Sequence, residues 1–234
     1  MTRLRRWWVV AGGLAIVAAP WWGPVLLGRF RFFDVRRVEV RGTRYLAPAT
    51  LVAALGLPSG ASVWVSTRAM ERRLGSLPGI RSVEVARRVP STLVVTVWEV
   101  EPVALARGPD GLVPVDEAGR PLPYDPAVVP VDAPVIAKAE APLLAALATV
   151  RATDLGLYAD IAAARTAAGG SVVLELEQGR LRVATPLDPA VVRSLSAVRR
   201  DLAARGQRWT ELDGRFHGWI VVRRAGPAGR GAAA

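Results

Sequence analysis

Apolar and polar residues alternate in the stretch VRRVEVRG at 35–42, where Val38 and Val40 fall on one face and charged residues on the other. A period of two is typical of a β-strand with one buried face. Gly42 ends the alternation. The pattern therefore predicts a short strand over this stretch.

Two short helices are predicted next. Pro48 fits the first turn of the first helix, and Gly56 fits its end. Ser66 is a suitable N-cap for the second helix, which ends at Pro78. Apolar residues recur at helical spacing in both, namely Leu51, Val52 and Leu55 in the first and Met70, Leu74 and Leu77 in the second.

The segment IRSVEVARRVPSTLVVTVWEVEPVAL at 80–105 alternates again and predicts two strands joined near Pro90 and Ser91. Its inward-facing residues are Val83 and Val85 in the first strand and Leu93, Val95 and Val97 in the second. The order from 35 onward is then strand, helix, helix, strand, strand. A three-stranded sheet with both helices on one face buries all of these apolar faces.

The chain after Pro102 has a second pattern of strands and helices. The predicted elements are a hairpin at 112–123, a helix from Pro142, a hairpin across 177–179, a helix over 187–206 capped by Asp188, and two final strands at 210–212 and 216–222. The whole chain is therefore predicted to be α+β, with a mostly antiparallel sheet in this second domain.

A long apolar segment precedes both patterned regions, since the twenty-two residues between Arg6 and Arg29 carry no ionisable side chain. A helix over 7–28 would be about 33 Å long, enough to cross a hydrocarbon core of about 30 Å, which favours a transmembrane anchor. A cleavable signal peptide stays open, because small residues precede Pro20. The flanking arginines alone do not settle the orientation, because long domains cross membranes largely regardless of charge.

Positive charge is concentrated near this segment. The net charge is +11; residues 1–44 contribute +7, with nine arginines against two acids, and the other 190 residues contribute +4, with 22 basic against 18 acidic residues. This distribution favours contact with headgroups of cytoplasmic-membrane lipids over binding to nucleic acid. The absence of cysteine excludes disulfides and thiolate metal sites.

Side chains capable of catalysis are few and scattered. The single histidine, His217, lacks the sequence partners of a catalytic triad. The adjacent carboxylates Asp116 and Glu117 would point to opposite faces of a strand, and they fit turn chemistry better. The sequence therefore predicts no catalytic residue, no metal site and no cofactor, and it favours a protein that is not an enzyme.

The order of elements that ends in LPGIRSVEVARRVPSTLVVTVWEVEPVAL resembles a POTRA domain, the polypeptide-transport-associated module. Its position after a single apolar span, followed by VPVDEAGRPLP and ELDGRFHGWIVVRR, is similar to the FtsQ/DivIB family of bacterial cell-division proteins. One departure is Gly214, where the family usually carries an apolar residue. We therefore expect a bulged or bent strand there.

Together with these patterns, the resemblance implies five segments. They are a cytoplasmic tail at 1–6, a transmembrane helix at 7–28, a POTRA domain at 33–102, a C-terminal β domain at 103–223 and a disordered tail at 224–234. The protein would then be a single-pass type II protein of the cytoplasmic membrane at the division septum, with its main domain outside.

The resemblance also implies a function, that of a non-catalytic scaffold of the divisome. The implied partners are division proteins of the FtsB/DivIC and FtsL types and other divisome components. The alternative is a POTRA-containing accessory protein of envelope assembly or secretion.

The predicted partner site is the final strand, made of Phe216, His217, Gly218, Trp219, Ile220, Val221 and Val222. A late strand often finishes at a sheet edge, where unpaired backbone groups can accept a strand from another chain. In the family, the corresponding strand contributes to the surface that receives the FtsB-type partner. The alternative is that these side chains only fill the core, and this alternative stays open above all for Trp219.

Overall fold

The chain divides into two compact units, Met1–Glu99 and Val100–Ala234. The computed structural model describes residues 31–109 and 111–224. The predicted cytoplasmic tail, the transmembrane helix at 7–28 and the C-terminal tail beyond Arg224 lie outside these residues; Arg224 itself ends a strand. None of the helices in the described ranges is long and apolar enough to cross a bilayer.

The first unit has the predicted order of strand, helix, helix, strand and strand. A short 3₁₀ turn at Arg31–Phe33 precedes β1 (Arg37–Arg41), α1 (Pro48–Leu55), α2 (Thr67–Gly75), β2 (Ile80–Arg88) and β3 (Thr92–Glu99). Strand β3 lies in the middle of the three-stranded sheet, parallel to β1 and antiparallel to β2.

The core of this unit contains the predicted inward face of the sheet, since Leu93, Val95 and Val97 are at most 1% exposed. The helices contribute Leu51, Leu55, Met70 and Leu74 to the same core. The expectation that Val52 shares this face is wrong. It is 39% exposed, because one residue turns an α-helix by about 100°.

Glu99, at the end of β3, holds the connection from β1 to α1. Its carboxylate accepts hydrogen bonds from the backbone N–H groups of Arg44, Tyr45 and Leu46 at 2.8–2.9 Å. Hydrogen bonds to an ionised acceptor are stronger than neutral ones. Glu99 therefore fixes the path of the chain into α1.

The second unit is built on one mixed sheet of eight strands. Its elements are β4 (Ala104–Gly108), β5 (Gly111–Val115), β6 (Val135–Ile136), α3 (Ala141–Thr153), α4 (Leu155–Ala159), β7 (Ile161–Ala167), β8 (Ser171–Leu176), β9 (Gly179–Ala184), α5 (Pro189–Ala204), β10 (Trp209–Phe216) and β11 (Trp219–Arg224). The strands lie in the order β11-β10-β9-β8-β7-β6-β4-β5. Helices α3 and α5 pack against each other and against this sheet.

The sheet contains more parallel pairs than expected. Four neighbouring pairs are antiparallel and three are parallel. Two of the parallel pairs, β6 with β7 and β9 with β10, are joined through helices, which parallel strands need as crossovers. The sequence predicts these helices, but not which strands they bring side by side.

Most predicted turns and caps of the second unit are present. Strands β8 and β9 form the hairpin expected across 177–179. Asp188 caps α5, and its Oδ1 accepts a hydrogen bond from the Ala190 N–H at 2.7 Å. The hairpin expected at 112–123 is only partly formed. Its second arm is reduced to a single bridge between Val115 and Pro121, and β5 pairs with β4 instead.

Candidate functional site

Strand β11 forms one edge of the eight-stranded sheet. It is hydrogen-bonded to β10 on one side, and none of the strands within 31–109 and 111–224 lies on its other side. A strand in this position presents a row of N–H and C=O groups that can pair with another chain. The prediction that the final strand lies at a sheet edge is therefore confirmed.

The predicted extent of the final strand, 216–222, is wrong. Phe216 is the last residue of β10, and His217 and Gly218 form the turn into β11. Gly218 has a φ of +77°, a conformation that glycine adopts without steric cost. The sequence pattern missed this turn because His-Gly is a weaker hairpin signal than Asn-Gly or Asp-Gly.

Side chains of the hairpin alternate between the core and solvent. Ile220 and Val222 pack against the core of the second unit. Phe216, Trp219 and Val221 are 50%, 75% and 51% exposed. Because Phe216 lies opposite Trp219 across the hairpin, these three residues form one apolar surface, here called the edge patch. The alternative that Trp219 only fills the core is wrong.

Gly214 lies at the bulge that its sequence predicts. The register of β10 and β11 shifts between Asp213 and Phe216, so β10 has one extra residue opposite β11 at this point. A Cβ on Gly214 would lie 2.9 Å from Val191 Cγ1 and 3.3 Å from Ile220 Cδ1. The missing side chain therefore lets α5 and β11 approach this strand closely.

A row of charged residues crosses the outer strands. Glu211 is 5% exposed, and its carboxylate lies 2.5 Å from Arg180 Nε and 3.7 Å from Arg223 Nη1. Arg180, Glu211 and Arg223 lie opposite one another on β9, β10 and β11. The row ends at Arg223 on the edge strand, whose side chain is 68% exposed.

A second ion pair lies at the bulge, between Asp213 and Arg215. Asp213 accepts from Arg215 Nε at 2.9 Å and from its Nη2 at 2.7 Å. These side-chain hydrogen bonds lower the pKa of the Asp213 carboxyl, against the opposing effect of burial. The Arg215 guanidinium also lies 5.8 Å from the ring centre of Phe216, so the pair positions one member of the edge patch.

The charged residues of the hairpin were not among the site residues predicted from the sequence. Glu211, Asp213 and Arg215 recur with a period of two beside the apolar Leu212. This period is the signal that could have placed them on one face of a strand. It could not show that arginines from neighbouring strands would meet them.

The other polar residues considered from the sequence lie in or beside turns. His217 is exposed in the hairpin turn. Asp116 is 5% exposed and accepts hydrogen bonds from the N–H groups of Ala118 and Arg120, as expected for turn chemistry. Burial would raise the pKa of Asp116, but its hydrogen bonds to Arg120 and Ala118 outweigh that effect and lower it. No group of metal-ligating side chains occurs in the described part of the chain.

The first unit has the element order expected of a POTRA domain, and the second unit leaves the edge of β11 exposed among the described residues. Residues 33–99 match the family model of the FtsQ-type POTRA domain. The chain therefore carries an FtsQ-type POTRA domain, and it has homologues among the cell division proteins FtsQ and DivIB.

Three relatives illustrate the extent of this similarity. The chain is 28% identical to a cell division protein FtsQ of Myxococcus fulvus over 84% of its own length and 75% of the relative. It is 38% identical to an FtsQ of Streptomyces collinus over 50% of its length and 45% of that protein. It is 29% identical to a cell division protein DivIB of Geobacillus kaustophilus over 54% and 51%. The matches thus span about half of the Streptomyces and Geobacillus proteins.

Proposed function

We propose that this chain acts in bacterial cell division as a non-catalytic, membrane-anchored scaffold that receives a strand from a partner on β11. The observation that carries the proposal is the unpaired edge of β11, with the edge patch beside it. The names of its relatives support the cellular process. The proposed partner is a division protein of the FtsB/DivIC type, and FtsL-type and other divisome proteins join the same assembly.

Backbone hydrogen bonds would supply affinity at this edge, and side chains would supply selectivity. Trp219 and Val221 offer apolar contact on the exposed face of β11. Arg223 ends the charged row and lies 3.7 Å from Glu211. A partner strand with apolar residues beside Trp219 and an acidic residue beside Arg223 would extend both features.

A positive charge on the edge strand tests this proposal. We expect Val221→Lys to weaken binding of the partner's extracytoplasmic segment at least tenfold, because edge lysines discourage strand pairing. The matched control is Val128→Lys, since Val128 is 75% exposed in the same unit. The measurement is a titration of the full chain in nanodiscs. Unchanged affinity in a folded Val221→Lys protein would rule out β11 as the partner site.

The proposed topology has residues 1–6 in the cytoplasm, an uncleaved anchor at 7–28, and residues 29–234 outside. The apolar run of the sequence supports it. Protease added to intact spheroplasts should digest the large domain, and full protection of that domain would overturn this topology. A mature amino terminus at Pro20 would instead establish a signal peptide. A fluorescent fusion should accumulate at the septum of dividing cells.

A further inference from the structure

The positive charge of the described chain lies in the POTRA unit. Residues 31–99 contain eleven arginines and five acids, a net charge of +6. Residues 100–224 contain fifteen basic and fifteen acidic residues, a net charge of zero. Several acids of the POTRA unit are also engaged internally. Glu99 binds backbone N–H groups, Glu71 accepts from the Val85 N–H, and Glu39 pairs with Arg41 and Arg88.

One end of the POTRA sheet brings the start of the unit beside the turn between β2 and β3. The Arg36 N–H donates to the Ser91 carbonyl at 2.9 Å, and the first residue of β1, Arg37, lies opposite the first residue of β3, Thr92. The Phe33 carbonyl accepts from the Val63 N–H, whose own carbonyl accepts from Arg87 Nε near the end of β2. The 3₁₀ turn at Arg31–Phe33 therefore lies at the same end as the β2–β3 turn, which contains Val89.

This end exposes two large apolar side chains among arginines. Phe32 is 62% exposed and Val89 is 55% exposed. The nearby arginines Arg31, Arg36, Arg37 and Arg88 are exposed as well. Of these four arginines, only Arg88 forms an ion pair within the described chain, and its partner is Glu39. We call this surface the basic end.

Its composition fits the boundary between lipid headgroups and acyl chains. Apolar and aromatic side chains enter that boundary, while arginines contact phosphate groups and are attracted by anionic lipids. Phe32 is also held in place, because its ring packs edge-on against that of Phe33, with the ring centres 5.2 Å apart. Phe33 packs in turn against Trp64, with ring centres 5.9 Å apart. A fixed apolar tip loses little side-chain entropy on insertion.

The sequence before the basic end shows what can lie against it. The apolar segment between Arg6 and Arg29 ends at Gly28, three residues before Arg31. We propose that the basic end rests on anionic lipid headgroups and that the β2–β3 turn at Val89 is a second membrane contact, separate from the anchor. This inference relies on the anchoring in the proposed function. Two attachment points would hold the POTRA domain in one orientation at the membrane, which a single flexible tether would not.

The absence of cysteine allows a direct test on the full chain. A spin label on Val89→Cys, in nanodiscs of anionic phosphatidylglycerol, should be shielded from a water-soluble nickel relaxation agent. The control is the same label on Trp98→Cys. Trp98 is 48% exposed and lies near the opposite end of β3, about 20 Å from Thr92 at the strand rise of about 3.3 Å per residue. Equal accessibility of both labels would overturn the second contact.

Three further experiments separate the role of headgroup charge from that of the anchor. Replacing Arg36 and Arg37 together by serine should return the label at 89 to water, and so should nanodiscs of zwitterionic phosphatidylcholine. Equal shielding in either case would overturn the role of headgroup charge.

Flotation of the chain with liposomes after carbonate washing reports whether the anchor holds the chain in the membrane. Lost flotation refutes the anchor itself, whereas flotation with an accessible label at 89 refutes only the second contact. That second outcome would favour an acidic protein partner for the basic end.

Discussion

Trp219→Ala is the substitution that best separates a binding role of the hairpin from a structural one. Its side chain is 75% exposed, at the start of the edge strand. Substitutions at exposed positions without special contacts usually change stability by no more than about 0.5 kcal/mol. We therefore expect the free protein to unfold at nearly the same denaturant concentration as the parent.

The effect on partner binding should be much larger. A tryptophan side chain buries about 150–250 Å² when fully covered, so about 110–190 Å² of Trp219 remains available to a partner. If an added strand covers half of that area, the loss at about 25 cal/mol per Å² is about 2 kcal/mol. This corresponds to a fall in affinity of about thirtyfold.

The assay is a titration of the full chain in nanodiscs with the extracytoplasmic segment of the FtsB/DivIC-type protein from the same organism. Val128→Ala is the matched control, because this side chain is equally exposed, at 75%, in the same unit. Unchanged affinity of Trp219→Ala would refute the binding role. A large loss of stability in the free protein would instead mean that Trp219 has a packing role.

Three further predictions concern the stability of the two units. Gly214→Ala should destabilise the second unit by about 1–3 kcal/mol through overpacking against α5. Gly75→Ala is the control and should not destabilise the protein, because its added Cβ would lie 3.9 Å from the nearest atom. Equal melting temperatures of the two variants would contradict this prediction. Glu99→Ala should lower the free energy of unfolding of the POTRA unit by about 1–3 kcal/mol in a urea titration, because three backbone N–H groups lose an ionised acceptor. The control is Glu84→Ala, at an exposed position. Equal losses of stability in both variants would show that the carboxylate of Glu99 is not needed. The pKa of Asp213 is lowered from its ordinary value of 3.8, so its ionised carboxylate stabilises the fold at pH values above 3.8. This contribution is lost as the pH falls through the lowered pKa. Asp213→Asn should therefore reduce the acid-induced loss of stability, and an unchanged pH profile would argue against it.

The POTRA fold was largely predictable because its elements carry strong local signals. Strand alternation, the cap at Ser66 and the turn after Val89 each act over a few residues, and all agree with one compact arrangement. The edge position of the final strand was also predictable, because late strands often finish at the edge of a sheet. The turn at His217 and Gly218 was not, since the apolar residues on both sides read as one continuous strand.

The α+β class, the order of elements in the POTRA unit, most of its core residues and the bulge at Gly214 could all be predicted from the amino-acid sequence. These follow from periodicity and from backbone preferences, which are local. The sequence did not show that Trp219 faces solvent while Ile220 packs against the core, or that Arg180 and Arg223 meet Glu211. Those facts depend on strand register and on neighbours distant in sequence, and the shift of a single residue reverses every side chain of a strand.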